Sequence, residues 1–521
     1  MMKKQSGVTL IALVVTIVVL IILATISINA VFSENGIIKR AEQARDASAN
    51  AVVKEEEDLD EILQQFNNAM ADPPEPDPPA EYVDNSLPTA PKLDETVTNG
   101  KAAMTPVKWN GTNWIKVTDI TEEWYNYENK EWANVVLGDA TFNADGTLDE
   151  SKAYTQLVWI PRFAYKIETQ YHTGGSGAGN IDVVFIDANN QNKNKTTTYG
   201  TTYTGGTAGG ASNEYVVHPA FDYGGTKLTG FWMGKFESSH TGCTTDKTTG
   251  TSNTNTTDLT MMVKAGVTSW RSIRITNMFD VCLNMNKAGN VYGLNTSDSV
   301  VDPHMTKNTE WGAVAYLSKS KYGKQTEEVF INNSSDYITG NAGGTANASS
   351  ASGVTNAYNT TNGQKASTTG NVYGVYDMSG GAWEYTAAYV ENSYITDTTK
   401  DQYTYGKSVV DGAAKYKDVY SIGTDGDSYT GNYAAASGKY GDAVYETSST
   451  GDGTDSWYSD CSYFPDTDYP FFIRGGNYND KSDAGVFYFN NDNGNDNNDI
   501  GFRVVVPVLR YFKNLILKIL T

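Results

Sequence analysis

Residues 8–28 read VTLIALVVTIVVLIILATISI, an apolar run without a single charge. Crossing a bilayer as a helix takes about 20 such residues, so this segment reads as a membrane-spanning helix. Lys3 and Lys4 precede it; by the positive-inside rule they keep the N-terminus in the cytoplasm and send everything after Ser33 outside. A secretory signal peptide is the simpler alternative, but its apolar region runs only about 7–15 residues before a small-residue cleavage site. Helical spacing continues over 39–70, where Leu59, Ile62, Leu63, Phe66 and Met70 share a face and the acidic run 55–58 lies on the wet side. Five prolines within 73–79 then favour extended polyproline geometry. Such a stretch is a semi-rigid spacer, with a recognition ligand as the alternative. The chain therefore divides into a leader (1–7), a membrane helix and stalk (8–71), a Pro-rich linker (72–92) and a large exported head.

Composition limits what the head can bind. With 61 acidic against 39 basic residues, the chain of 521 carries a net charge of −22. A nucleic-acid binder needs a basic face to displace counterions from phosphates, so nucleic acid is excluded as a partner. Polarity comes from Gly (49), Tyr (34) and an excess of Asn, Thr and Ser rather than from charge, which suits a loop- and strand-rich exported protein. Cys243, Cys282 and Cys461 are too few and too odd in number for a disulfide framework.

The junction before the apolar run is specific. Gly7 followed by Val8-Thr-Leu-Ile behind a basic leader resembles the start of type IV pilins and type II secretion pseudopilins. That resemblance implies cleavage between Gly7 and Val8, a helix that anchors the subunit, and packing with other pilins in a filament. The family's glutamate at the fifth mature position is here Ala12, which puts ordinary filament incorporation in doubt and suits a tip subunit or a different mode of assembly.

Beyond the linker, residues 93–150 carry short aromatic runs with Asn110-Gly111 as a hairpin signal. Trp109, Trp114, Trp124 and Trp132 read as the core of a small β-rich module, with a sugar-stacking platform as the alternative. Polar Gly/Thr/Ser/Asn tracts at 173–214, 240–258, 338–370 and 421–455 read as surface insertions or mobile loops.

Patterned segments between those tracts occur in a recognisable order over 151–507. They are LVWIPRFAYKI (157–167), LTGFWMGKFESS (228–239), MTKNTEWGAVAYLSK (305–319, with Glu310 and Trp311), NVYGVYDMSGGAWEY (371–385), FFIRGGNY (471–478) and IGFRVV (500–505). Together they resemble formylglycine-generating-enzyme/sulfatase-modifying-factor domains. The resemblance implies an α+β C-type-lectin-like fold, with a small antiparallel sheet, flanking helices and long loops, behind the long N-terminal pilin-like helix. The motifs also have a plain structural reading: Gly475, Gly476 and Gly501 permit tight backbone, and Arg474 and Arg503 pin loop carbonyls or a buried carboxylate such as Glu384. Asp377, Met378, Ser379, Gly380, Trp311 and Trp383 complete the motifs, the two tryptophans as core.

Catalysis is not expected. Residues 474–503 hold no cysteine, whereas formylglycine generation uses a reactive cysteine pair there. His172, His218, His240 and His304 stand too far apart in sequence to read as a metal site. No nucleophile triad, phosphate-binding glycine loop or zinc helix motif occurs. The expectation is therefore no catalytic residue, no metal and no cofactor, with structural calcium on an acidic loop as the open possibility.

The closing segment points to binding instead. From Asn477 to Asp499, thirteen of 23 residues are Asn or Asp, with Tyr478, Tyr488 and Ser482 among them. Short polar side chains studded with tyrosine are what adaptable binding surfaces use. The segment resembles the variable region of diversity-generating-retroelement variable proteins, where adenine-specific mutagenesis rewrites Asn-type codons. That resemblance implies a ligand-facing variable set of Tyr478, Asn479, Asp480, Ser482, Asp483, Tyr488, Asn490, Asp492, Asn493, Asn495, Asp496, Asn497 and Asp499. Lys481 lies outside it, because such codons do not yield lysine. The implied frame is Arg474, Gly475, Gly476, Phe487, Gly501, Phe502, Arg503, Trp383 and Glu384. The tail 508–521, with Leu509, Phe512, Leu515, Ile516 and Ile519 against Arg510, Lys513 and Lys518, is amphipathic and basic, packed on the head or touching membrane. The whole reads as a hypervariable receptor or adhesin, displayed on a bacterial surface, for an unknown protein, glycan or phage ligand. An oxidase on a membrane stalk and a structural minor pilin are the alternatives.

Overall fold

The computed structural model describes residues 87–243, 255–349 and 354–509, together with Val18 and Leu20. The leader with Gly7 and Val8, the pilin-like helix and stalk, most of the linker and tail residues 510–521 lie outside the described residues. The chain divides into two units, Met1–Ala80 and Glu81–Thr521, and the elements below belong to the second. Among the described residues no helix is long and apolar enough to cross a membrane.

Two sheets organise the head. The larger has seven strands in the order His304–Met305, Val504–Val506, Gly230–Gly234, Gln156–Pro161, Asn134–Leu137, Met104–Trp109, Trp114–Lys116, every pair antiparallel. Its central strands QLVWIP and GFWMG are buried along their whole length, so they read as continuous apolar runs rather than alternating ones. Trp159 and Trp232 face each other across one rung, their rings 5.2 Å apart.

The second sheet is built on Trp383–Val390. One edge of this strand takes Phe471–Gly475 antiparallel, which in turn pairs with Gly485–Asp492. The other edge takes two short parallel partners, Ile500–Phe502 beside Trp383–Tyr385 and Asp418–Tyr420 beside Ala388–Val390. Arg503 is the single residue between Ile500–Phe502 in this sheet and Val504–Val506 in the other.

These findings overturn the expected α+β fold with a small antiparallel sheet and flanking helices. The described residues are dominated by sheet, the largest sheet has seven strands, and no described helix exceeds 11 residues. The reason lies in residues 93–150. They do not close on themselves but contribute Met104–Trp109, Trp114–Lys116 and Asn134–Leu137 to the sheet begun by Gln156–Pro161. Asn110-Gly111 does sit in a hairpin turn, with Gly111 at φ +98° and Trp109 opposite Trp114. Trp114, Trp124 and Trp132 are buried in the core, while Trp109 packs at its margin.

The polar tracts are the second correction. In 338–370, Tyr358, Ser367, Thr368 and Thr369 are buried; in 421–455, Asn432, Tyr433 and residues 442–444 and 446–448 are buried. Polar chain can enter an interior when its hydrogen bonds are made. Asn432 Nδ2 donates to the carbonyls of Gly426 and Pro465, and the Gly441 N–H donates to Glu446.

Candidate binding surface

Each anchor of the closing segment is fixed by buried arginine. Arg474 donates to the carbonyls of Asp442 and Ala443 at 3.1 and 3.0 Å. Arg503 grips Glu384 through two bonds, 2.6 and 3.1 Å, and donates to the carbonyls of Gly234 and Tyr376. It thus ties an end of the seven-stranded sheet to the strand Trp383–Val390. Beneath that strand Glu237 and Asp377 are also fully enclosed, so three carboxyls share one guanidinium. Burial pushes Glu237 well up, an effect its neighbour Asp377 reinforces, and raises Asp377 itself. Burial also lifts Glu384, to about 7, against the pull of Arg503. The paired oxygen geometry marks Glu384 as the ionised partner.

From this frame two loops project, 476–484 and 493–499. Gly476, at φ +75°, opens the first; a Cβ there would lie 2.6 Å from the Ala484 Cα, so only glycine fits. Both loops hang on Trp383. Its indole Nε1 donates to Asp480 at 2.9 Å in the first loop, and its backbone N–H donates to the Asp499 carbonyl at 3.0 Å in the second. Trp383 is accordingly half-buried between the loops, not a core residue like the fully buried Trp311, whose indole donates to the Val486 carbonyl.

The expected ligand-facing residues fall into three groups. Asn479, Ser482, Asp483 and Asp496 are exposed, and Tyr478, Asn490, Asn493, Asn495, Asn497 and Asp499 are half-buried on the same two loops and the strand end between them. Asp480 and Asp492 are half-buried but engaged: Asp480 accepts from Trp383 and from the Asn477 N–H, while Asp492 accepts from the Tyr385 hydroxyl (2.5 Å) and Asn497 (2.9 Å). Burial is the largest influence on both carboxyls and raises them. Tyr488 is a correction. It is 2% exposed, inside a strand covered on both faces, and its hydroxyl accepts from Asn490. Lys481 is exposed in the first loop at φ +56°.

Two residues that sequence reasoning did not single out border the surface. Arg271 lies with its guanidinium 4.0 Å from the centre of the Tyr337 ring, and Tyr337 meets Tyr478 edge-to-face at 5.1 Å. Arg271 also donates to the Asn498 carbonyl, and the Ser272 N–H donates to that of Asn497. More than 130 residues separate Tyr337, and more than 200 separate Arg271, from the closing segment, and no local pattern marks them.

The residues weighed for chemistry lie apart. His304 pairs with Glu310 at 2.8 Å, His218 is buried and pushed down to about 3, His240 packs on Trp270 and His172 stacks on Tyr445. Among the described residues no three His, Cys, Asp or Glu side chains gather as metal ligands. Burial pushes the Cys243 thiol up to about 11 and Cys461 to about 12, and raises Cys282 well above its ordinary value. None is a thiolate near neutral pH, the form a cysteine nucleophile requires.

No protein-family model and no curated protein matches the chain.

Proposed function

We propose that this chain is a displayed ligand-binding protein whose exchangeable surface is formed by loops 476–484 and 493–499. The observation that carries this reading is the way the second loop is held. Asn497, Asn498 and Asp499 are each fastened through a backbone carbonyl, to Ser272, Arg271 and Trp383, and the Gly494 carbonyl accepts from the Ile275 N–H. Apart from Asn497, which donates to Asp492, and Asp496, which pairs at the surface with Arg274 at 3.5 Å, side chains at 495–499 can therefore be exchanged while those anchors stay, which is what a diversified receptor needs from its scaffold. The resemblance to variable proteins of diversity-generating retroelements supports the same reading, and so does the run of Asn, Asp, Ser and Tyr. The pilin-like start, with its resemblance to a cleavage site between Gly7 and Val8 and the uncharged apolar run behind it, supports display outside a bacterial cell on a membrane anchor. Ala12 favours an anchor or a tip position over ordinary filament packing. The ligand is a protein, glycan or phage component, recognised by hydrogen bonding and tyrosine contact, and binding involves no bond-making step.

Sequencing the locus tests this directly. The reading expects a near-copy of the 474–503 coding stretch, differing at adenines, beside a reverse transcriptase gene. Isolates should differ at the exposed loop positions and agree at Arg474, Gly476, Trp383 and Arg503. Absence of both the copy and the reverse transcriptase refutes it.

A further inference from the structure

Two adjoining cavities, of about 420 and 180 Å³, share Thr257 and Asn284 in their walls. The larger is acidic, with Asp280, Asp298 and Asp302 against Lys287. The smaller is apolar: Leu259, Met261, Val281, Met285, Val291 and Tyr292 line it, and Val291 is left 51% exposed. The tail 508–521 takes its root beside them. Val508 pairs with Val301, and the Leu509 N–H donates to the Val300 carbonyl at 2.8 Å. Asn286 joins that root to the acidic cavity, its side-chain amide donating at 2.8 Å both to the Val301 carbonyl and to Asp298.

The charges around these cavities do not cancel. Asp302 is met by Lys415 and by the Tyr223 and Tyr416 hydroxyls, and Asp298 by Lys287 at 3.3 Å. Asp280 accepts from the neutral Ser408 hydroxyl at 2.9 Å, and Asp258 lies exposed in the wall of the smaller cavity. On the helix Asp401–Asp411, which carries Ser408, Lys407 and Asp411 neutralise each other. Among the described residues neither Asp258 nor Asp280 has a cationic nitrogen within 4 Å. Asp258, Asp280, Asp298 and Asp302 thus stand against Lys287 and Lys415, and the surplus is negative. The tail is its complement. Arg510, Lys513 and Lys518 supply three cations, and Leu509, Phe512, Ile516 and Ile519 recur beside them at helical spacing. Residues 510–521 would span about 18 Å as a helix, the scale of two cavities side by side.

We propose that residues 510–521 dock on their own head at this place, with apolar side chains over the smaller cavity and the three cations against the acidic one. The docked tail braces the helix Ile275–Leu283. That helix puts Asp280, Val281 and Leu283 in the cavity walls, and at its other end the Ile275 N–H holds the Gly494 carbonyl of the second loop.

Carbodiimide coupling of the full chain in zwitterionic detergent, read by peptide mass spectrometry, tests it. The reagent takes up water as it joins an ammonium to a carboxylate in contact with it. The expected links run from Lys513 or Lys518 to Asp258, Asp280 or Asp298, and their yield falls with added salt. Mixing isotope-labelled and unlabelled chains tells links within one copy from links between copies. Hydrogen exchange gives the second readout. In a chain shortened to end at Leu509, the Val281 and Leu283 amides should exchange at least about threefold faster than in the full chain, while those of Trp383–Val390 keep their protection. Should the shortened chain lose its native circular dichroism, Lys513→Glu, Lys518→Glu is read in its place. A tail held by lipid or detergent gives neither links nor protection. Absence of the links, links between copies only, or unchanged exchange at Val281 and Leu283 each overturns the proposal.

Discussion

Replacing Trp383 by phenylalanine separates the two loops that it carries. The substitution keeps a flat ring and the backbone N–H, so the bond to the Asp499 carbonyl stays, while the indole bond to Asp480 at 2.9 Å is lost. A hydrogen bond to a charged group contributes about 1.5–3 kcal/mol net. Because Trp383 and Asp480 are both half-buried, the lower end applies, about 1.5 kcal/mol. That is roughly a tenfold rise in the local opening equilibrium. Asp480 also accepts from the Asn477 N–H, and the Tyr478 and Asp483 N–H groups close the same loop on Gly381 and Asp480. Those amides are the reporters. Native-state hydrogen exchange should show them opening about tenfold faster, while Gly494, whose N–H donates to the Tyr385 hydroxyl, keeps its wild-type protection. Equal acceleration in both loops, or none in the first, refutes the claim that Trp383 fastens them by two independent bonds.

Two further perturbations test the frame. Arg503→Met leaves Glu384 buried beside Glu237 and Asp377 with no cation; a loss of about 3–5 kcal/mol in urea denaturation is expected, and a loss below about 1 kcal/mol refutes the clasp. The second concerns pH. Burial raises Glu446 to about 7 and also raises Glu237, Asp377, Asp442 and Asp460. At these carboxyls the folded chain binds more protons than the unfolded one, so this stability is fully present below the ordinary carboxyl range and, for Glu446, is lost as pH rises from about 4.5 to about 7. His218, pushed down to about 3 from 6.5, acts oppositely below pH 6.5, and Lys319 and Lys324, lowered by burial to about 7 and about 8, act oppositely above those values. The melting temperature of the wild type, read against that of Glu446→Gln, should fall as pH rises from about 4.5 to about 7; a difference that stays constant or grows over this interval refutes it.

What could be read from the sequence was short-range or chemically distinctive. The helix Asn308–Ser318 sits inside the segment singled out around Glu310 and Trp311, with Glu310 accepting from the Lys307 N–H at its start. Arg503 has a fork of donors that only a carboxylate and carbonyls satisfy, and Glu384 is that carboxylate. The rest depended on long-range pairing. Nothing local shows that Met104–Trp109 would complete a sheet with Gln156–Pro161 and, through it, Gly230–Gly234. Nor does composition show that 442–444 and 446–448 would be buried, because a polar run reads as surface until its hydrogen-bond partners are known. Tyr337 and Arg271 reach the loops through tertiary structure alone.

The same distinction ranks the thirteen positions by how freely they can vary. A side chain that fills the interior or carries the frame cannot be exchanged without structural cost, whatever its codon permits. Tyr488, enclosed at 2% exposure, leaves a cavity when shortened; Tyr488→Asn is expected to cost about 3–5 kcal/mol, the range for large aromatic truncations. Asp492 accepts from Tyr385 and Asn497, so Asp492→Ala strips the hydroxyl of the buried Tyr385 of its acceptor and costs about 1–3 kcal/mol. Asn495 and Asp496 lie on a loop held through backbone carbonyls, and alanine there should change stability by no more than about 0.5 kcal/mol. Denaturation of the three classes of variant gives the order Tyr488, Asp492, then Asn495 and Asp496. Diversity among natural copies should follow the reverse order, widest at 495–496 and narrowest at 488. Equal cost at all positions would mean that the loops are held by their side chains, and a surface built that way could not be rewritten without unfolding its own support.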